Sequence, residues 1–151
     1  MTTTVERRAA RVLLVDGEGR VLLFLGHDPA RPAEGTWWFT VGGGLDDGES
    51  HRDAAVRELF EETGLSVPPT SLGGPVHSER AEFWLGGAHY IQDNEFFTVH
   101  VDDHDVVTVG FTDLEATFVL DHRWWSVDEL RATSDRVYPE CLPDLLAALA
   151  A

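Results

Sequence analysis

Apolar positions along this chain fall into short runs broken by glycine, proline and acidic clusters. Ala10 to Val15 and Val21 to Leu25 are two such runs, joined by Asp16-Gly17-Glu18-Gly19, a hairpin signal. His27 to Gly35, with Pro29 and Pro32, reads as a loop, and Trp37 to Val41 as a strand entering a row of glycines. Pro68, Pro69, Gly73 and Gly74 mark a long connection. Glu82 to Leu85 and His89 to Val101 read as two strands around Gly86-Gly87, and Asp102 to Asp113 as a polar loop with a Val-rich middle. Thr117 to Trp125 reads as a last strand. Ser126-Val127-Asp128-Glu129 is a capping box that opens a short helix, and Leu142 to Ala150 is a closing helix. Interleaved strands and helices predict a sheet sandwiched between helices, in one domain over residues 1–151.

One further helix has the sharpest boundaries. Ser50 is a good N-cap with Asp53 three residues on, and Gly64 suits a left-handed C-terminal residue, so the helix runs from about His51 to Thr63. At helical periodicity Ala55, Val56, Leu59, Phe60 and Thr63 share an arc of roughly 140°, the face expected to be buried. Glu58, Glu61 and Glu62 share the opposite side within roughly 100°. Acids at these spacings repel by a few tenths of a kcal/mol per pair, and only Arg57 is close enough to relieve them, through Glu61. A solvated acidic face is the plain reading. A hard cation such as Mg²⁺ or Mn²⁺, which takes carboxylate, carbonyl and water oxygens, would also remove the repulsion.

The wider pattern favours the cation. Gly43, five residues, Glu49, seven residues, then Arg57-Glu58-Leu59-Phe60-Glu61-Glu62-Thr63-Gly64-Leu65 resembles the Nudix box at every defined position. A chance match in such a chain is on the order of one in a million. The box covers 23 of the 151 residues; a Trp-rich strand from Gly35 to Thr40 and Arg123-Trp124-Trp125-Ser126 extend the resemblance more weakly. The resemblance implies the Nudix fold, α/β (α+β), with a mixed β-sheet sandwiched between helices.

Composition agrees with a single globular unit. The hydrophobic share is 43%, no apolar run approaches the ~20 residues of a membrane span, and no apolar signal region opens the chain. A cytoplasmic protein is expected. Cys141 is the only cysteine, so no internal disulfide forms. The net charge of −16, with all 11 basic residues arginine, argues against a nucleic-acid polymer as partner and also opposes an anionic substrate at long range, so a small nucleotide would need metal ions and a few well-placed arginines to bind. A membrane partner is not expected, and a homodimer is left open.

What the resemblance implies for chemistry is hydrolysis of a nucleoside diphosphate linked to another moiety, with water attacking phosphorus. Glu58, Glu61 and Glu62 would hold Mg²⁺ or Mn²⁺ together with a backbone carbonyl near Gly42 or Gly43, and Arg57 would orient a glutamate. Glu49 either reaches metal through water or holds the loop against the helix. The general base would be a box glutamate or a downstream acid, Glu115 ahead of Asp102 and Asp103. For substrate, Trp37 and Phe83 are base-stacking candidates, with Trp84 and Trp124 beside them, although aromatic residues in strands mostly pack. Arg31 and Arg123, with Arg80, are candidates for phosphate or ribose. No histidine pair stands at a metal-ligand spacing on a helix.

Two departures matter. Val41 stands where many family members have proline, and the marks of ADP-ribose and dinucleoside polyphosphate hydrolases are absent near Arg80 to Phe83. The substrate is therefore open among nucleoside triphosphates, oxidised ones included, and nucleotide sugars or similar conjugates. The alternatives are a nucleotide-sensing module of the same fold, and a metal-dependent isomerase. The isomerase would need Cys141 in the pocket, where its Pro-flanked position beyond the last strand does not place it.

Overall fold

The computed structural model describes residues 3–107 and 117–150. Strand β1 (Thr4–Val15) turns into β2 (Val21–His27), with Val15 opposite Val21. Asp16 holds that turn itself, accepting from the N–H groups of Glu18 and Arg20 at 3.0 and 2.9 Å. A short 3-10 turn (Pro32–Glu34) leads to β3 (Thr36–Gly44). β3 pairs antiparallel with β2 and, through its glycine end, with β1, placing Ala9, Ala10 and Arg11 opposite Gly44, Gly43 and Gly42. Helix α1 (His51–Thr63) follows. A long hairpin, β4 (Gly73–Leu85) and β5 (Ala88–His100), then lays β5 parallel to β1 from Thr4↔His89 to Val15↔His100. β6 (Val119–Trp125) pairs with β2; α2 (Val127–Ala132), β7 (Val137–Tyr138) alongside β3, and α3 (Leu142–Ala150) complete the chain. The sheet order is β4-β5-β1-β2-β3-β7, with β6 added at β2.

Alternation along β1 divides the core. Ala10, Val12 and Leu14 pack with Ala54, Ala55 and Leu59 of α1 on one face, and Leu13 and Val15 pack with Leu130, Leu142 and Leu146 of α2 and α3 on the other. A mixed sheet with helices on both faces is the expected architecture. Burying a side chain such as Leu59 contributes about 1.5–3 kcal/mol. Among the described residues no helix is long and apolar enough to cross a membrane.

Local signals placed the helix ends well. Ser50 Oγ accepts from Asp53 N–H at 3.1 Å, Gly64 takes φ 78°, and its N–H reaches Phe60 O at 2.8 Å. Ser126 and Glu129 form the reciprocal box at α2. Two expectations fail. The supposed connection through Gly73 and Gly74 is already strand. β4 lacks an apolar period because it is an edge strand held by its pairing to β5 and by cross-strand contacts such as Arg80–Asp93 at 3.0 Å. The buried face of α1 is also turned: Phe60 is 48% exposed, while Glu58 and Glu62 join Ala54, Ala55, Leu59 and Thr63 on the buried side.

Candidate active site

The turn of α1 has its cause in β3. Residues 42–44 carry no side chains, so their backbone can be approached from both faces. Gly43 faces α1, and a Cβ there would lie 2.5 Å from Glu58 Oε1. Gly42 and Gly44 face the other way. A Cβ on Gly42 would lie 2.8 Å from Arg11 Cδ and collide with the Ala10 carbonyl oxygen; one on Gly44 would lie 3.4 Å from Arg7 Cδ. The carboxylates of Glu58 and Glu62 therefore sit against bare peptide rather than in water. Glu62 Oε1 accepts from Gly42 N–H at 2.9 Å, and Glu58 and Glu62 are only 8% and 4% exposed.

Arg57 gathers the acids. Its Nε and Nη2 donate to the two oxygens of Glu49, both at 2.9 Å, a bidentate pair. Nη2 also donates to Gly44 O at 3.0 Å, while Nη1 reaches Glu58 Oε1 at 2.9 Å and Glu61 Oε2 at 3.3 Å. The contact with Glu61 expected from spacing is present, but Glu49 takes the stronger share. These bonds hold the Glu49 carboxyl below its usual range and raise the guanidinium above its own, the Glu49 hydrogen bond being the largest cause in each case. Glu49 Oε1 also accepts from Asp46 N–H at 3.0 Å, so it fastens the loop ahead of α1 to the helix.

Among the described residues no three His, Cys, Asp or Glu side chains close on a point that would cage a metal ion. Glu58 and Glu61 share Arg57, and Glu62 turns to Gly42. The donor set still fits a hard cation of the Mg²⁺ kind. It is all oxygen, it stands beside glycine peptide that leaves the approach open, and Mg²⁺ is ordinarily held by one or two carboxylates, water and substrate phosphate rather than by a closed protein cage. At the far end of α1, Thr63 O receives Val107 N–H at 2.9 Å and His104 Nε2 at 2.8 Å. The chain then enters residues 108–116, so Glu115 lies outside the described residues. Asp102 and Asp103 are exposed.

On the other side of the glycine strand opens a cavity of about 740 Å³, walled by β1, β3, the β4–β5 hairpin and the segment from Arg136 to Cys141. Arg31, Trp37 and Phe83 all line it, as do Arg80 and Trp84. Arg123 does not: it pairs with Glu129 at 2.5 Å and lies 3.8 Å over the Trp125 ring, so the structure separates it from the other substrate candidates. Trp124 packs on the α1-side core instead. Cys141, expected away from the pocket, lines it after all, because β7 pairs with β3 and brings the following residues to the cavity wall. Its Sγ is 3.5 Å from His77 Nε2, and burial pushes the thiol up, with Glu79 adding to it. Asp28, 2% exposed, joins two walls by accepting from Ala30 N–H at 3.0 Å and Gly86 N–H at 3.1 Å.

Sequence reading missed Arg7, Arg11, Gln92 and Asn94, which also face the cavity. Arg7 Nε donates to Gln92 Oε1 at 2.5 Å, Gln92 Nε2 to Asn94 Oδ1 at 2.7 Å, and Arg11 Nη1 to Thr40 O at 3.0 Å. One signal was available: Arg11 is the single charge inside the otherwise apolar run Ala9 to Val15.

Several known proteins are similar to this chain. An RNA pyrophosphohydrolase of Dinoroseobacter shibae is 46% identical over 61 residues, 40% of this chain and 36% of that protein. An octanoyltransferase of Myxococcus xanthus is 38% identical over 109 residues, 68% of this chain and 28% of that protein. The matches thus span about a third of each of those proteins. The crystal structure of a MutT protein from Methanosarcina mazei Go1 superposes with a TM-score of 0.62 at 18% identity, over 99% of this chain and 96% of that one, which shows a common fold. The NUDIX domain model matches residues 5–145, a span that holds the glycine strand, the acidic helix and the cavity walls together, and the chain belongs to the Nudix family.

Proposed function

We propose that this chain is a divalent-metal-dependent pyrophosphohydrolase that cleaves a phosphoanhydride bond of a nucleoside diphosphate derivative. The observation that carries this reading is the glycine strand, which sets a buried acidic cluster on one face within reach of an arginine- and aromatic-lined cavity on the other. Mg²⁺ or Mn²⁺, held by Glu58, Glu61 and Glu62 with peptide oxygen near Gly42 and Gly43, would supply charge neutralisation on the phosphoryl oxygens and acidify water. Arg57 aims Glu58 and Glu61, Gly42 N–H holds Glu62, and through Glu49 Arg57 fixes the loop that precedes them. Trp37 and Phe83 offer flat faces to a base, and Arg31 offers positive charge to phosphate or ribose. Glu115 is the downstream acid proposed to take the proton from water. The pyrophosphohydrolase named above, and a dihydroneopterin triphosphate pyrophosphohydrolase of E. coli with a TM-score of 0.61, support the reaction class.

The test is a panel of nucleoside triphosphates, oxidised triphosphates, nucleotide sugars, ADP-ribose and dinucleoside polyphosphates, incubated with Mg²⁺, Mn²⁺ or EDTA and resolved by chromatography. Cleavage of one class only with metal is expected. Tight binding of one class without cleavage overturns the hydrolase in favour of a sensor. The position of Cys141 in the cavity wall favours one second reading, an isomerase that uses its protonated thiol as an acid. A Cys141→Ala variant with undiminished phosphate release removes it.

A further inference from the structure

β4 is the end strand of the sheet, and among the described residues it pairs with β5 alone. Which of its peptides this leaves free follows from the hairpin. Gly86 and Gly87, at φ 59° and 83°, form a two-residue turn, and such a turn is closed by a hydrogen-bonded pair, here Leu85 with Ala88. Bonded and open pairs then alternate down the ladder, so the peptides of Phe83, Ala81, Glu79 and His77 face β5. Those of Ser78, Arg80, Glu82 and Trp84 face outward. β5 keeps the same alternation: His89, opposite Trp84, sends its N–H the other way, to Thr3 O at 3.0 Å. The side chains of the four outward residues are exposed as well. Sheet edges are usually blunted by proline, a bulge or short length. In β4 the irregularity lies between Gly73 and His77, and the run from His77 to Leu85 continues unbroken.

A second copy of this chain matches that edge. A strand that pairs antiparallel with its own copy has a two-fold axis, and outward peptides bond only to outward peptides, so the axis must pass through a residue rather than between two. An axis at Glu79, Arg80 or Glu82 sets that charge against itself, which destabilises, and one at Phe83 runs the ladder into the glycine turn. An axis at Ala81 sets Arg80 opposite Glu82 of the other copy, and by symmetry does so twice, while exposed Trp84 lies beside Ser78. Both charges are already steadied on that face, Arg80 by Asp93 at 3.0 Å and Glu82 by His89 at 2.6 Å. We propose that β4 is a self-pairing edge, through which two copies join antiparallel about Ala81 into one continuous sheet. An unrelated peptide has no such built-in match of charge to register. On the opposite face of β4, Glu79 and Phe83 line the cavity, and the same register sets Phe83 of the second copy opposite Glu79, so the two cavities share a border. The inference is independent of the hydrolase reading.

The experiment is sedimentation equilibrium of the full chain in about 0.15 M salt, which screens the repulsion between two copies of net charge −16. Wild-type protein is expected to approach twice the chain's mass as its concentration rises. Arg80→Glu and Glu82→Arg, each alone, are expected to weaken that association roughly tenfold or more, because like charges then meet across the axis. Mixed in equal amounts, the two variants are expected to recover the dimer, since each then faces the opposite charge. Urea melts show whether both variants fold. Amide exchange of the wild type needs no variant: the N–H groups of Arg80, Glu82 and Trp84 should slow roughly tenfold or more from dilute to concentrated protein, and those of Ala81 and Phe83, already bonded to β5, far less. Wild-type protein that stays single at every concentration overturns the self-pairing edge. So does a dimer retained in both single variants, a mixture of the folded variants that fails to associate, or outward amides indifferent to concentration.

Discussion

Substituting alanine at two adjacent glycines should give two different kinds of damage. At Gly43 the new Cβ would lie 2.5 Å from Glu58 Oε1, 2.8 Å from Cδ and 3.1 Å from Oε2. An ordinary carbon–oxygen contact is about 3.4 Å, so the carboxylate must retreat by about 1 Å. Gly43 does not have a left-handed backbone, and the obstacle is the free end of a flexible side chain, so the fold is expected to lose about 1 kcal/mol or less, mostly through the weakened contact of Glu58 with Arg57. Function should suffer far more, since a 1 Å misplacement of a reacting group costs on the order of 100-fold in rate. At Gly42 the obstacles are Ala10 O and Arg11 Cα, which are backbone, and φ is 141°. Gly42→Ala is expected to cost about 2–4 kcal/mol, in the range of overpacking plus backbone strain. Urea denaturation of both variants, beside metal-dependent turnover and Mn²⁺ affinity, makes the comparison. Gly43→Ala with wild-type turnover and metal affinity, or with the same stability loss as Gly42→Ala, would refute the view that Gly43 exists to seat Glu58.

Glu61→Gln and Glu62→Gln should lower turnover by orders of magnitude with folding intact, because an amide oxygen at position 62 can still accept from Gly42 N–H and repulsion on α1 falls; wild-type turnover in both sinks the metal assignment. Arg57→Ala should change acid stability in a defined direction. The depressed Glu49 carboxyl contributes stability that is present above its unfolded value near 4.5 and lost as pH falls through the lower folded value. Removing Arg57 should flatten the urea-melt stability curve below about pH 4.5, and an unchanged acid slope would show that this pair does not matter. Arg123→Ala should leave KM within twofold, since Arg123 sits on Glu129 and Trp125 outside the cavity, whereas Trp37→Ala and Phe83→Ala should raise KM about tenfold or more. A KM rise confined to Arg123→Ala would reverse that division.

The acidic helix was legible because its signals are local. Ser50, Gly64 and the run from Arg57 to Glu62 mark a helix and its row of acids within a few turns of chain. Its orientation was not legible. Hydrophobic periodicity assigns Phe60 to the core and Glu58 to water, and it has no means of knowing that the surface facing the helix is bare peptide at Gly43. The parallel pairing of β1 with β5 joins residues more than 80 positions apart, and the two-residue β7 is too short to leave a pattern, yet these bring Arg7, Gln92 and Cys141 to one cavity. Trp37 and Phe83 could be singled out by type, but the difference between Arg31 in the wall and Arg123 outside it comes only from the tertiary arrangement.

The link that Asp28 makes between the β2 exit and the hairpin tip uses main-chain donors alone, at Ala30 and Gly86. Its strength is therefore indifferent to which side chains the two connected segments carry. Sequence between Pro29 and Glu34, and along the outer half of the hairpin, could be exchanged for that of another protein with the junction preserved, provided the turn at Gly86-Gly87 is kept. The cavity mouth is in that sense a grafting site. New recognition surfaces could be installed there on a scaffold whose acidic helix, anchored to a different part of the sheet, need not be redesigned.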